Sequence, residues 1–202
     1  GKTLGFITDD GMITRGGESI SLKELSGIYE GRLESVFPCL EKHDVKKLVT
    51  FSYTEGEIIA PAVKHARPKV LIPVFPGTNC EYDSAKVLRD AGAEVSTFVI
   101  NNLTSDGIAL SVERFAKELK DSQIVFIPGG FSGGDEPDGS GKFIMAFFRN
   151  AEIKERVHEL LDRRDGLMCG ICNGFQALIK LGLVPYGRIT DGAEDSPTLT
   201  FN

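Results

Sequence analysis

From Lys69 onward the chain alternates short apolar runs with helix-length segments, and this alternation narrows its possible folds more than any other feature. The runs fall at residues 70–75, 94–100, 124–127 and 167–171. The first, Val70-Leu71-Ile72-Pro73-Val74-Phe75, is stopped by Pro76-Gly77, as a strand buried on both faces should be. Between and after the runs, the spacing predicts helices over 81–91, 105–119, 143–150, 152–163 and 173–181. Gly92 and Gly182 follow two of them as C-caps. Strands joined to helices by short links make an α/β fold, a mostly parallel sheet with helices on both faces. Sites in such sheets lie at the carboxyl ends of the strands.

Residues 1–67 read differently, as a small α+β segment. An extended stretch with turns at Asp9-Asp10-Gly11 and Arg15-Gly16-Gly17 leads into a helix over 21–37. Leu22, Leu25, Ile28, Tyr29, Leu33 and Val36 share one face of it, Ser21 and Glu24 have capping-box spacing, and Pro38 stops it. The segment is too poor in apolar residues to stand as an independent domain, which places the boundary at Arg67-Pro68. A chain of 202 residues that starts on Gly1 is expected to be a piece of a longer one. Its net charge of -6 argues against partners such as nucleic acid or an anionic membrane surface. No apolar run is long enough to span a bilayer and the start has no signal-peptide pattern, so a cytoplasmic location is expected.

Cys169 and Cys172 have the C-x-x-C spacing of redox pairs and of half a zinc site. Zinc would need two more ligands, and His43, His65 and His158 stand at no useful spacing, so no metal site is assigned. Alternation along the 167–171 run puts Cys169 in the sheet, where it is expected to be core, and leaves Cys172 alone at the turn.

The chemistry concentrates in Gly170-Ile171-Cys172-Asn173-Gly174-Phe175-Gln176, which has the spacing of a nucleophile elbow with cysteine in place of serine. A nucleophile that leaves a strand and enters a helix within one residue is held in strained backbone with its side chain exposed. The flanking positions crowd against neighbouring elements, so glycine fits there. The helix N-terminus stabilises a thiolate, and the Asn173 N–H can bind a developing oxyanion. A second glycine run, Pro128-Gly129-Gly130-Phe131-Ser132-Gly133-Gly134, follows the third strand and lets backbone N–H groups come close to a ligand, as an oxyanion hole requires. Gly139-Ser140-Gly141-Lys142 invites a phosphate-loop reading, but Glu136 and Phe143 stand where that loop needs glycine and Ser or Thr.

Three segments, Pro76-Gly77-Thr78-Asn79-Cys80-Glu81-Tyr82-Asp83, Pro128-Gly129-Gly130-Phe131-Ser132 and Cys172-Asn173-Gly174-Phe175-Gln176, resemble the glutaminase part, a class I glutamine amidotransferase domain, of phosphoribosylformylglycinamidine synthase. The match covers residues 68–202, and residues 1–67 resemble the connecting tail of the fused long-chain form. The resemblance implies that Cys172 attacks glutamine to form a glutamyl thioester and release ammonia. It implies oxyanion donors at Gly130 and Asn173 and glutamine contacts from Gly129, Phe131 and Gln176. The ammonia would pass to the synthetase part of the same parent chain, where ATP and magnesium serve amidation of formylglycinamide ribonucleotide in purine biosynthesis; no cofactor is expected on residues 1–202 themselves. The family completes its triad with a histidine and a glutamate beyond the cysteine. No histidine follows His158 here, and His158 reads as a helix-face residue, so this piece is expected to be inactive alone. Two other readings stay open: another class I amidotransferase or cysteine hydrolase of the same fold, and a non-catalytic interaction module.

Overall fold

The computed structural model describes residues 1–36, 52, 56, 60–131, 141–193, 196, 197 and 199. Pro38, Cys39, His43 and the 132–140 part of the glycine-rich segment lie outside these. The chain forms two compact units, one of residues 1–53 with 201–202 and one of residues 54–200.

In the first unit, β1 (Met12–Arg15) and β2 (Glu18–Ser21) form an antiparallel hairpin with Ile13 opposite Ile20. Gly16 and Gly17, at φ 62° and 85°, make the two-residue turn, whose twist requires positive φ at both positions. Helix α1 (Leu22–Gly31) follows at once, and the Ser21 hydroxyl accepts from Glu24 N at 3.1 Å as its N-cap. The helix stops at Gly31, short of the expected residue 37. Gly27 and Gly31 each weaken a helix by roughly 1 kcal/mol relative to alanine, and the apolar residues Leu22, Leu25, Ile28 and Tyr29 are exposed, so no burial offsets that cost.

The second unit is the α/β body. Its strands β3 (Lys69–Val74), β4 (Glu94–Val99), β5 (Ile124–Ile127) and β6 (Leu167–Gly170) form one parallel sheet in the order β4-β3-β5-β6. Helices α2 (Glu81–Asp90), α3 (Ser105–Asp121), α4 (Lys142–Phe148), α5 (Ala151–Arg163) and α6 (Asn173–Leu181) connect or follow them. Alternation along each strand splits the core between the two faces. Leu71, Val125 and Ile127 point to the face covered by α3 to α6, where Phe115, Phe147, Phe148, Ile153, Leu160 and Leu181 are buried. The rings of Phe115 and Phe147 meet edge to face at 5.2 Å. Val70 and Ile72 point to the other face, against Ala85 of α2.

That second face explains where Cys169 departs from expectation. Cys169 is in the sheet, in register with Phe126, but it is exposed rather than core. α2 packs on β3 and β4, with β5 between them and β6, which is the edge strand among the described residues. Met168, on the opposite face, does pack on the main core. A short helix, α7 (Leu183–Tyr186), forms after α6; Pro185 breaks the helical pattern in the sequence, but its place in the first turn is tolerated. Among the described residues no helix is long and apolar enough to cross a membrane.

The segment after α7 returns to α5, where Ile189 N donates to His158 Nε2 at 3.0 Å. Burial, with Arg188 and Lys154 nearby, holds the His158 pKa below its ordinary value against the opposing pull of Asp162. The unfolded chain therefore takes up a proton on this ring more readily than the folded one, so its contribution to stability is present above the ordinary histidine range and lost as pH falls. Melting temperature is expected to drop between about pH 7.5 and 5.5. The drop should shrink in His158→Gln, which does not titrate.

Candidate active site

β6 ends at Gly170, and Ile171 N makes the last ladder bond, to Ile127 O at 3.1 Å. The next residue is Cys172, at φ 51° and ψ -111°, and α6 begins immediately after it. Among the described residues only Asp165 shares a positive φ without being glycine. A residue held in such a region costs of order 1–3 kcal/mol and persists only where the surroundings impose it. The surroundings here are two glycines. A Cβ at Gly170 would come within 2.6 Å of the Gly174 carbonyl group, and one at Gly174 within 2.1 Å of Ile127 O. Strand end, elbow and first helical turn are therefore pressed together against β5 with no room for a methyl. Gly174 N donates to Ile171 O and Gln176 N to Cys172 O, both at 2.9 Å, which starts the helix on the cysteine itself. The Cys172 thiol is free and exposed.

The glycine turn after β5 closes over the elbow. A Cβ at Gly129 would stand 3.4 Å from the Cys172 Cβ and 3.9 Å from the Cys80 sulphur. Gly130 adopts φ 142° and pairs with Thr78 in an isolated antiparallel bridge. The bonds of that bridge are Asn79 N to Gly129 O at 3.2 Å and Phe131 N to Gly77 O at 2.8 Å. Thr78 and Gly130 are thus the pair that exchanges no bonds with each other, and the Gly130 amide is turned away from the 76–80 turn.

The structure thereby brings Gly129 and Gly130 to one side of Cys172, and Asn173 and Gln176 to the helix it opens. The Asn173 side-chain Nδ2 donates to Gln176 Oε1 at 3.1 Å and Asn173 is buried, so these two residues form one unit at the start of α6. Phe131 is tied down through its backbone while its ring is exposed. His158 belongs to the Ile189 contact, and neither it nor His65 hydrogen-bonds Cys172. An apolar hollow of about 200 Å³ at the same end of the sheet, lined by Phe75, Ile100, Val112 and Phe147, does not include Cys172. The residues that sequence patterns assigned no role are Thr78, Asn79 and Cys80; their position just past β3 was the available signal.

Residues 67–202 match the family model of the CobB/CobQ-like glutamine amidotransferase domain. The chain belongs to that family. It is 35% identical over 140 residues to phosphoribosylformylglycinamidine synthase subunit PurQ of Dehalococcoides mccartyi, covering 68% of this chain and 48% of that one. It is 37% identical over 126 residues to the same subunit of Treponema denticola, covering 62% and 42%. Among solved structures it is similar to PurLQS from Thermotoga maritima, at 28% identity, a TM-score of 0.40, and 58% and 45% coverage. This amidotransferase-family chain spans less than half the length of the curated relatives it matches.

In a helix, alanine ordinarily replaces glycine with a gain in stability. The close approach of Gly174 to Ile127 reverses that sign. Gly174→Ala is expected to lose about 1–3 kcal/mol through overpacking, read as a lower urea midpoint with an unchanged slope.

Proposed function

We propose that this chain is the glutaminase part of phosphoribosylformylglycinamidine synthase, supplying ammonia for purine biosynthesis. The observation that carries the reading is Cys172 on a strained strand-to-helix elbow, under the Gly129–Gly130 turn, in a member of a glutamine amidotransferase family. The Cys172 thiolate attacks the glutamine carboxamide carbon, and the C=O electron pair moves onto oxygen. The N–H groups of Gly130 and Asn173 hold that oxyanion in a setting where preorganised donors contribute more than they would in water. A general acid gives a proton to the amide nitrogen, and collapse of the oxyanion breaks the C–N bond, releasing ammonia and leaving a glutamyl thioester. Water then releases glutamate and restores the thiol. Gly129, Phe131 and Gln176 line the position of the bound glutamine.

The ammonia passes to a synthetase part that uses ATP and magnesium to amidate formylglycinamide ribonucleotide, with residues 1–67 as the connecting tail and 68–202 as the N-terminal portion of the amidotransferase domain. The free thiols at Cys80, Cys169 and Cys172 fit a reducing, cytoplasmic setting.

A full cycle needs a base to take the thiol proton and return it to ammonia. With His158 bound to Ile189, none of the described contacts of Cys172 provides one. Loss of a triad partner costs several orders of magnitude, while binding and the oxyanion hole keep a residue of reactivity. Incubated with a diazoketone analogue of glutamine, the chain is expected to be alkylated at Cys172, mapped by mass spectrometry, with ammonia release close to background. Labelling of Cys39, Cys80 or Cys169 in preference to Cys172 would end the nucleophile assignment. Fast ammonia release that disappears in Cys172→Ala would show that residues 1–202 hold the base after all.

A further inference from the structure

We infer that Thr78 is a positioning residue for the reaction, aiming the Gly130 amide through the turn that follows β3; the inference rests on the glutaminase reading for its chemistry and on the turn alone for its geometry. β3 ends in a tight turn, Phe75-Pro76-Gly77-Thr78, closed by Thr78 N to Phe75 O at 2.9 Å. Proline at its second position and Gly77 at φ 88° in its third are the residues that a type II turn asks for. The Thr78 side chain closes the turn a second time, because its Oγ1 accepts from Phe75 N at 3.0 Å. Phe75 is buried, and a buried N–H without an acceptor costs about 1–3 kcal/mol. The hydroxyl therefore fixes the geometry of the whole turn, although it reaches no reacting atom.

The turn's outward groups hold the glycine loop. Gly77 O accepts from Phe131 N and Asn79 N donates to Gly129 O, so the peptide units on both sides of Gly130 are gripped. A Cβ at Gly130 would lie 2.2 Å from Gly77 O and 2.9 Å from the Thr78 Cα, so the loop sits directly on the turn. The bridge leaves the Gly130 N–H pointing away from β3. Because β5 lies between β3 and β6 in the sheet, away from β3 is toward β6, whose end carries Cys172. One acceptor oxygen on Thr78 thus sets the direction of an oxyanion donor one strand away. An oxyanion donor acts within a narrow window of distance, and a misplacement of about 1 Å can cost on the order of a hundredfold.

The test compares Thr78→Val, which keeps the shape and removes the acceptor, with Thr78→Ser, which keeps the acceptor. Two reagents read the thiol: the diazoketone analogue of glutamine, whose carbonyl oxygen occupies the oxyanion position, and iodoacetamide, which needs no oxyanion donor. Thr78→Val is expected to slow diazoketone labelling of Cys172 by about ten- to a hundredfold and iodoacetamide labelling by less than about twofold. Thr78→Ser should return the diazoketone rate to within about threefold of the original chain. Amide hydrogen exchange supplies a readout that needs no chemistry at Cys172: the Asn79 and Phe131 amides should lose protection in Thr78→Val and keep it in Thr78→Ser. An unchanged ratio of the two labelling rates, or unchanged protection at Asn79 and Phe131, overturns the inference. If the original chain ignores the diazoketone, the glutaminase reading fails, and the exchange data alone decide whether Thr78 holds the loop.

Discussion

The carbonyl oxygen of Ile127 is the point on which the site depends. It accepts the last ladder bond from Ile171, and the missing side chain of Gly174 lets the first turn of α6 settle on the same atom. Together these two constraints leave one residue, Cys172, to make the whole change of direction from strand to helix. Its positive φ follows from that geometry rather than from any preference of cysteine. Burial of Ala177, Leu178 and Leu181 along α6 holds the helix where it is. A buried leucine contributes about 1.5–3 kcal/mol, so two of them offset the roughly 1–3 kcal/mol of backbone strain at the elbow.

Strand order then decides what faces the elbow. The chain runs β3, β4, β5, but β3 sits between β4 and β5 in the sheet, so the connections leave β3 and β5 in opposite directions. A crevice opens at such a reversal, outside the carboxyl ends of the strands. Here it holds the 76–80 turn and the Gly129–Phe131 loop, which bridge each other at Thr78 and Gly130. Cys172 stands at the end of the neighbouring strand, which is how the turn after β3 and the loop after β5 come together beside the elbow. Cys80, whose sulphur also comes near Gly129, joins the same group only through this arrangement.

The local chemistry of the chain was legible before any coordinates. β5 and α6 lie at residues 124–127 and 173–181 as read from the pattern, and the Ser21 cap and the Gly182 stop are where the residue types put them. These features depend on short-range forces: apolar periodicity, a hydroxyl beside a helix N-terminus, a glycine that accepts positive φ. The glycines on either side of Cys172 could be assigned to close packing because any strand-to-helix elbow forces it. The same local reasoning overextended α1, where two glycines and an unburied apolar face let the helix stop at Gly31.

What the tertiary structure alone decided is everything that depends on which surface meets which. Cys169 alternates as an interior strand residue should, yet it is exposed, because the helix on that face, α2, packs on β3 and β4 at the other side of the sheet from β6. His158 has the spacing of an ordinary helix-face residue and becomes an acceptor for Ile189 only when the segment after α7 folds back. Thr78 reads as one polar residue in a turn. Its hold on Gly130 exists because β3 and β5 are neighbours in space, a fact about sheet order that no local pattern encodes. Residue type and spacing determined which groups could do chemistry; long-range packing determined which of them meet, since the burial that selects one partner over another is a property of the assembled sheet.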